Sequence, residues 1–364
     1  MIRTLLCDLV GIKHPIIQAG MGPYSTNRLA VAVANAGALG IISSSGLVMG
    51  AMAPQLAEMV TGGETGTLRE VLKKVLYRVK DATRDSKGIF GINCMVSAEM
   101  ATSAGEILRA TIDARDEDPE MKDRLRVIIT SAGDPMPWVE MIRPSGIKWL
   151  HVVPSVRHAR RCEQAGVDGI IASGHEGGYH IAWEPVHTMV LLPAVANAVK
   201  TPVIGAGGFC DGATLVAALA LGAVGVQIGT RFLATKESDF MQIWKDQILR
   251  SGERDTVVAR GIVGPARYLK NEASYGLAEI TVRKAPGLFL GQPDDFTSID
   301  PEVLDKELEG IGATFAGNAK KALMAGGEVA GRIEDLPTAG ELIDRIMKEA
   351  EAIIRSLPQR FIKR

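Results

Sequence analysis

Cysteine is scarce in this sequence of 364 residues, with four scattered copies that are never spaced as C-x-x-C. This scarcity argues against a disulfide framework or a structural zinc site and predicts a reducing, cytoplasmic setting. No uninterrupted apolar stretch approaches the about 18 residues of a membrane-spanning helix, so no membrane role is expected. The 41 Lys plus Arg nearly balance the 42 Asp plus Glu and form no long run, which argues against a nucleic-acid partner.

Glycine, in contrast, is abundant. Its 40 copies are about 11% of the chain, above the usual 7% or so, and they cluster where strands would meet ligand-binding loops. Hydrophobic residues make up 46% and charged residues 23%, as in a soluble protein with a large core. One barrel needs about 250 residues, so about 100 residues remain for an appended element.

Short apolar strand patterns alternate with amphipathic helical patterns, which predicts βαβ units and a parallel sheet. Helices are predicted at 28–35 and 68–83. The eight predicted strands span residues 16–20, 39–43, 89–94, 127–131, 147–153, 169–173, 202–207 and 225–229. These strands fit a closed (β/α)8 TIM barrel. An open doubly wound sheet is the alternative, but QAGMGP after the first strand lacks the G-x-G-x-x-G spacing of that fold.

The alternation stops after about Ala234, where a mostly helical extension or lid is predicted, with helices at 240–250 and 338–357 and a loop-rich middle. We therefore expect a ligand-binding barrel over 1–234 and a lid or substrate region over 235–335. A C-terminal helix over 336–364 is expected to pack back on the barrel.

Two glycine-containing loops give the strongest chemical signal. AGGFCDG (206–212) follows the seventh predicted strand, and GTRF (229–232) follows the eighth. In (β/α)8 enzymes the loops after these two strands commonly bind a phosphate, because glycine lets backbone N–H groups approach the anion. Alternatively, these glycines only shape tight turns.

The run GHEGGYH (174–180) follows the sixth strand, at the end of the barrel where catalytic groups lie. It resembles the zinc motif H-E-x-x-H, but its histidines are five residues apart, and Gly177 and Gly178 oppose a helix. A neutral imidazole could instead remove an acidic proton. Both histidines could also be loop residues bonded to backbone, and Glu176 could orient a histidine or cap the next segment.

Two weaker signals come from the first and third strands. In QAGMG (18–22), small residues would let a flat ligand lie against the backbone, although Met21 could simply fill the core. Asn93 is a polar residue in an apolar strand, so it needs a partner, which could be a ligand amide edge or the protein itself.

Together, HPIIQAGM, AGVDGIIASGHEGGYH and PVIGAGGFCDGATLVAALALGAVGVQIGTRFLAT resemble signatures of the nitronate monooxygenase (2-nitropropane dioxygenase) family. The resemblance extends to GPARYLKNEAS and covers most of the chain. It implies an FMN-containing TIM barrel. Such barrels include nitronate oxidisers, NADH:quinone reductases, an enoyl-thioester reductase and enzymes acting on CoA esters.

The resemblance also implies roles for individual residues, with His180 as the catalytic group. Expected at the FMN phosphate are Gly207, Gly208, Gly229 and Thr230. Expected around the isoalloxazine ring are Ala19, Gly20, Met21 and Asn93, with Ser173 and Gly178 completing the cofactor-binding set. Expected at the substrate pocket are His175, Glu176 and Tyr179.

The sequence departs from the family pattern at three points. Gly177 stands where alanine is common, and Tyr179 replaces a glycine, adding bulk and a phenol beside the flavin. The fifth strand, taken as HVVPSV, has no lysine where some relatives carry one near the flavin. Its loss would remove a positive charge that stabilises reduced flavin. The pattern G-x-E-G-G-x-H at 174–180 and the run VPSV resemble more closely the branch of the family that acts on CoA esters.

The function expected first is therefore FMN-dependent oxidation of a nitronate or a related acidic C–H substrate, with His180 as base. The alternatives are reduction or dehydrogenation of an unsaturated acyl thioester, or NAD(P)H:quinone reduction. A flavin-free phosphate-binding isomerase or lyase and a non-catalytic FMN-binding protein are more distant. NAD(P)H is the candidate electron donor, and the expected partner is a small-molecule substrate. A homodimer is the candidate assembly.

Overall fold

Eight short, mostly buried parallel strands form the central sheet in a computed structural model that describes residues 2–294 and 296–362. Across this described part, the strands in chain order are β1 Ile16–Gln18, β2 Gly40–Ser43, β3 Phe90–Met95, β4 Leu125–Ser131, β5 Lys148–Val153, β6 Gly169–Ser173, β7 Tyr179–His180, β8 Val203–Ala206, β9 Val226–Ile228, β10 Thr256–Gly261 and β11 Gly264–Leu269. All eight predicted barrel strands are present, displaced by at most two residues at either end.

The order of the central sheet is β1–β9–β8–β6–β5–β4–β3–β2, and every neighbouring pair is parallel. The two end strands also meet. The N–H of Gln18 donates to the Leu39 carbonyl at 2.9 Å, and the N–H of Leu39 donates to the Ile16 carbonyl at 3.0 Å. The (β/α)8 barrel is therefore confirmed, and the open doubly wound alternative is wrong.

Helices alternate with the barrel strands and continue beyond them. In the described residues they are α1 Leu5–Val10, α2 Asn27–Asn35, α3 Ser45–Met49, α4 Pro54–Thr61, α5 Leu68–Ala82, α6 Ala101–Glu117, α7 Pro119–Arg124, α8 Val139–Ile142, α9 Val156–Ala165, α10 Thr188–Ala198, α11 Gly212–Ala220, α12 Thr230–Leu233, α13 Gln242–Arg250, α14 Glu272–Lys284, α15 Pro301–Phe315 and α16 Ala339–Phe361. Among these helices, none has the length and apolar composition needed to cross a membrane.

Side-chain alternation along the strands builds two apolar layers, because successive residues of a strand face opposite sides. Ile129, Leu150 and Ile171 belong to the cluster inside the barrel, which Leu6 and Val10 of α1 close at one end. The alternate residues, such as Ile128 and Ile170, belong to the layer under the surrounding helices. The strands are thus buried on both faces, as their continuous apolar runs predict.

The extension after Ala234 is mostly helical, as predicted, but it contains a β-hairpin that the sequence analysis missed. Strands β10 and β11 pair antiparallel, and β11 pairs in turn with β7. All six residues of β11 are buried, so that strand has no polar–apolar alternation to reveal it. The three strands cover the carboxyl end of the barrel at the loop after β6.

Candidate active site

A cavity of about 340 Å³ lies at the carboxyl ends of the barrel strands and extends under the extension, a size typical of small-molecule sites. The structure brings nearly all the predicted site residues to its wall: Ala19, Gly20, Met21, Asn93, Ser173, Glu176, Gly178, Tyr179, His180, Gly207, Gly208, Gly229 and Thr230. His175 does not line this cavity.

The glycine pair after β8 adopts a backbone that other residues avoid. Gly207 has φ +87° and Gly208 has φ +83°, both in the left-handed region that favours glycine. A methyl group on Gly207 would lie 2.8 Å from the carbonyl oxygen of Gly174. The loop therefore requires glycine here both for its conformation and for the close approach of two backbone segments at the cavity wall.

The residues after β9 connect the barrel to the extension. Gly229 precedes α12, and the hydroxyl of Thr230 accepts a hydrogen bond from the N–H of Gly327 at 2.9 Å. A methyl group on Gly178 would come within 2.6 Å of that same Gly327 nitrogen. The predicted phosphate loop, the loop after β6 and the segment at Gly327 thus meet at one place.

Gly20 and Asn93 pack directly against each other. A methyl group on Gly20 would lie 2.4 Å from the Asn93 Cβ atom, so only glycine fits. The Asn93 amide nitrogen donates to the Ile129 carbonyl at 3.3 Å and to Ser131 Oγ at 3.4 Å. Asn93 therefore has the structural partners considered from sequence, and it also lines the cavity beside Met21.

His180 owes its position to the hairpin. In β7 it is paired with Ala266 of β11, and its ring lies against Gly264, where a methyl group would be 3.3 Å from Cε1. Its Nε2 atom is buried and has no hydrogen-bond partner among the described residues. Burial, together with the nearby charge of Arg260, lowers the pKa of His180 to about 4. The imidazole is therefore neutral near pH 7.

Tyr179 donates from its hydroxyl to Glu307 Oε1 at 3.0 Å, and Tyr268 donates to the same oxygen at 3.0 Å. The N–H of Ile262 donates to the other carboxylate oxygen. Burial raises the pKa of Glu307, while these three hydrogen bonds oppose that shift. Tyr179, Tyr268 and Glu307 all line the cavity, so a buried carboxyl group with two phenols forms part of its wall.

Arg260 is almost fully buried beside this group, at 1% exposure. Its guanidinium pairs with Asp294, with nitrogen–oxygen distances of 2.6 and 3.0 Å, and lies 5.4 Å from the centre of the Trp183 ring. The ion pair offsets the cost of burying the charge. Arg260 thus supplies a fixed positive charge close to both His180 and Glu307.

Glu176 and His175 have different surroundings from those of His180. The Glu176 carboxylate accepts hydrogen bonds from the N–H of Thr188 at 2.9 and 3.0 Å and from its hydroxyl at 3.0 Å. It thereby caps the start of α10. The His175 carbonyl accepts a hydrogen bond from Arg267 at 2.9 Å, and burial lowers the pKa of the His175 imidazole to about 4.

The fifth strand does contain a lysine, contrary to the description drawn from its last residues. Lys148 begins β5, where its ammonium lies 2.8 Å from Asp168. This position is at the amino end of the strand, outside the residues that line the cavity. The carboxyl end of β5 contributes Val152, Val153 and Pro154 to the cavity instead.

Several residues of the site were not anticipated. Glu307, Tyr268 and Arg260 lie in the extension, between 80 and 128 positions along the chain from their partners in β7. In the sequence, Glu307 is one of several acidic residues of an amphipathic helix, with no local motif around it. The pairing of β7 with β11 helps to bring these residues to the barrel.

Comparison with known proteins connects the chain to one family. A family model described as nitronate monooxygenase matches residues 3–349. The chain is 31% identical over 382 aligned residues to a (3aS,4S,5R,7aS)-5-hydroxy-7a-methyl-1-oxo-octahydro-1H-indene-4-carboxyl-CoA dehydrogenase of Rhodococcus jostii, with 96% of each chain covered. It is 30% identical over 302 residues to a probable nitronate monooxygenase of Staphylococcus saprophyticus, covering 76% of this chain and 81% of that protein.

Among solved structures, FabK from Thermotoga maritima matches with a TM-score of 0.78 and 29% identity, over 99% of this chain and 100% of that one.

Proposed function

Since this chain belongs to the nitronate monooxygenase family of oxidoreductases, we propose that it is an FMN-dependent enzyme that uses His180 to move a proton at the reacting carbon of its substrate. The observation that carries this proposal is the buried Nε2 of His180 at the cavity wall, with no protein partner among the described residues. A buried polar atom of this kind calls for a ligand.

The cavity suits FMN. The left-handed Gly207 and Gly208, with Gly229 and Thr230 after the next strand, form a glycine cradle whose small residues leave the backbone open to a phosphate. Ala19, Gly20 and Met21, with Asn93 behind them, offer a flat wall for the isoalloxazine ring. When bound, FMN would supply the redox chemistry. Ser173 and Gly178 complete the proposed binding set.

His180 is suited to accept a proton. Its lowered pKa keeps the imidazole neutral at physiological pH, and the ring hydrogen-bonds to the Pro265 backbone while Nε2 has no partner among the described residues. This arrangement leaves Nε2 as the unprotonated nitrogen that faces an acidic C–H beside a nitro or thioester group. The positive charge of Arg260 disfavours the imidazolium form, so a proton that His180 takes from the substrate is passed on rather than held. Tyr179 and Glu307 fix the neighbouring wall through their hydrogen bond.

Within this activity we propose an acyl-CoA thioester, rather than a nitronate, as the substrate. The CoA-ester dehydrogenase relative matches over 96% of both chains, whereas the nitronate monooxygenase relative matches over 76% of this one. We propose that residues 1–234 hold the cofactor, that 235–335 form the substrate wall through Glu307 and Gly327, and that 336–364 support the barrel.

The test is to purify the protein, identify any bound flavin after denaturation, and follow flavin absorbance anaerobically. NADH, NADPH, propionate 3-nitronate and a panel of saturated acyl-CoA esters are added in turn. Bleaching by an acyl-CoA ester, or turnover of an unsaturated ester with NAD(P)H, is the expected result. Bleaching by the nitronate alone would reverse the substrate assignment. A colourless protein that stays inactive with added FMN would refute the proposal and favour a flavin-free isomerase or lyase.

A further inference from the structure

A second groove opens beside the main cavity, between the loop after β4 and α9. Its lining includes Asp134, His151, Arg157, His158, Arg160 and Arg161, and we call it the arginine groove. Ala132, Val152 and Pro154 line both the arginine groove and the main cavity. The two spaces are therefore adjacent, and a molecule leaving the mouth of the cavity on this side enters the groove.

The arginine groove carries an excess of positive charge. Its three arginines face one lining carboxylate, Asp134, which Arg161 already engages with two hydrogen bonds of 2.8 and 3.1 Å. Arg157 and Arg160 are exposed, and among the residues that the structure describes neither forms an ion pair or a hydrogen bond. Two guanidinium groups are thus available for an anion, on a chain whose formal net charge is −1.

Hydrogen bonds join the residues at the floor of the groove. His151 is 3% exposed, and its Nδ1 lies 2.6 Å from Thr130 Oγ1, which also accepts a hydrogen bond from the Trp149 indole at 2.7 Å. The Ser155 hydroxyl accepts from the N–H of His158 and lies 2.8 Å from His158 Nδ1. The bonds of Ser155 cap the start of α9 and so position the backbone of Arg157 beside the cavity mouth.

A thioester with its reacting carbon at His180 cannot keep its whole carrier inside a cavity of about 340 Å³ that also holds a flavin. The carrier must leave through the mouth, and its far end bears phosphate groups on an adenosine. Guanidinium groups bind phosphate through charge-assisted, often bidentate hydrogen bonds.

From this geometry we propose that the arginine groove binds the phosphorylated adenosine end of the substrate's nucleotide carrier, with Arg157 and Arg160 as its phosphate ligands. The inference rests on the proposed function, because it assumes a nucleotide-linked substrate at His180. The same chemistry is present in NADPH, whose adenosine carries its phosphate at the 2′ rather than the 3′ position. The position of the phosphate on the ribose therefore distinguishes an acyl-CoA, with a 3′-phosphate, from NADPH, with a 2′-phosphate.

The test measures binding of adenosine 3′,5′-bisphosphate and adenosine 2′,5′-bisphosphate to the flavin-loaded enzyme by calorimetry. The R157Q/R160Q variant is compared with the wild type and with R109Q/R355Q, which removes the same charge from α6 and α16 at side chains 52% and 79% exposed. We expect the groove variant to weaken binding at least about tenfold and the control variant to leave it unchanged. Preference for the 3′,5′ compound identifies an acyl-CoA, and preference for the 2′,5′ compound identifies NADPH.

Kinetics provide the second measurement. For an acyl-CoA substrate, R157Q/R160Q should raise KM about tenfold with kcat nearly unchanged, while the N-acetylcysteamine thioester of the same acyl group should show the same KM in both enzymes. No bisphosphate binding by the wild type, or equal weakening in the control variant, would overturn the inference. Bisphosphate binding at the groove without turnover of any thioester would leave the groove assignment standing and refute the proposed substrate.

Discussion

The hydroxyl of Tyr179 lies 3.0 Å from Glu307 Oε1, so one hydrogen bond joins the loop after β6 to helix α15 of the extension. Tyr179 has φ +59°, a left-handed conformation that is costly for a tyrosine. A glycine, which the family resemblance implies at this position, would adopt the same conformation without strain. Here the bond to Glu307 and the pairing of Arg267 with Tyr179 hold the strained residue in place.

The first prediction concerns this bond. Tyr179→Phe should lower the free energy of unfolding by about 1–2 kcal/mol, because a buried carboxyl group loses one of its three donors. Chemical denaturation measures the change. Tyr275→Phe removes the same hydroxyl from a side chain that is 50% exposed and should change stability little. Equal effects of the two substitutions would contradict the role given to Glu307.

The second prediction concerns the two histidines. His180→Ala should reduce turnover at least about a hundredfold while the protein keeps its flavin, because it removes the group that transfers the proton. His175→Ala should retain most of the activity, since His175 does not line the cavity. Steady-state rates and flavin content of both variants test this. A His180→Ala enzyme with normal turnover would remove His180 from the mechanism.

The third prediction concerns the glycine cradle. Gly207→Ala should abolish flavin retention, because the added methyl group meets the Gly174 carbonyl at 2.8 Å in addition to its left-handed strain. Gly317→Ala is the matched control, since Gly317 has φ +72° but nothing within 4 Å of the added methyl group. Both should lose about 1 kcal/mol of stability from backbone strain. Only the first should be purified without flavin; flavin loss from both would point to general destabilisation instead.

The fourth prediction concerns stability in acid. Burial lowers the pKa of His151 to about 4 from its ordinary 6.5, so the unfolded chain binds a proton at a higher pH than the folded one. The contribution of neutral His151 to the free energy of unfolding is complete above about pH 6.5 and is lost as the pH falls toward 4. It amounts to about 3 kcal/mol. Urea denaturation of wild type and His151→Gln at several pH values from 7.5 to about 4.5 checks this. The free energy of unfolding should fall less steeply with decreasing pH in the variant than in the wild type. Parallel plots of this free energy against pH would contradict the prediction.

The barrel was predictable because its signals are local. Each strand is a short apolar run, as in the predicted segment 169–173, which matches β6 residue for residue. The glycine loops after β8 and β9 could be placed as well, since the carboxyl ends of parallel strands meet at one face. The cavity wall therefore contains twelve of the residues named from sequence together with His180.

The extension was less predictable, because its structure depends on contacts between distant residues. The pairing of β11 with β7 joins Ala266 to His180, which are 86 positions apart in the chain. No local turn motif predicts a pairing over this distance. Glu307 looks like any solvated acidic residue of an amphipathic helix, yet it is 2% exposed and accepts three hydrogen bonds. Long-range burial of a charged residue leaves no signature in local sequence.

Because His180 pairs with Ala266, the position of a barrel residue depends on the structure of the extension. Substitutions in the hairpin at 256–269 can move the His180 ring without altering any barrel residue. A chimera that joins this barrel to the extension of a relative would exchange the setting of its reactive histidine along with the substrate wall. Divergence of reaction type within such a family can therefore begin in a segment that contains no reacting group.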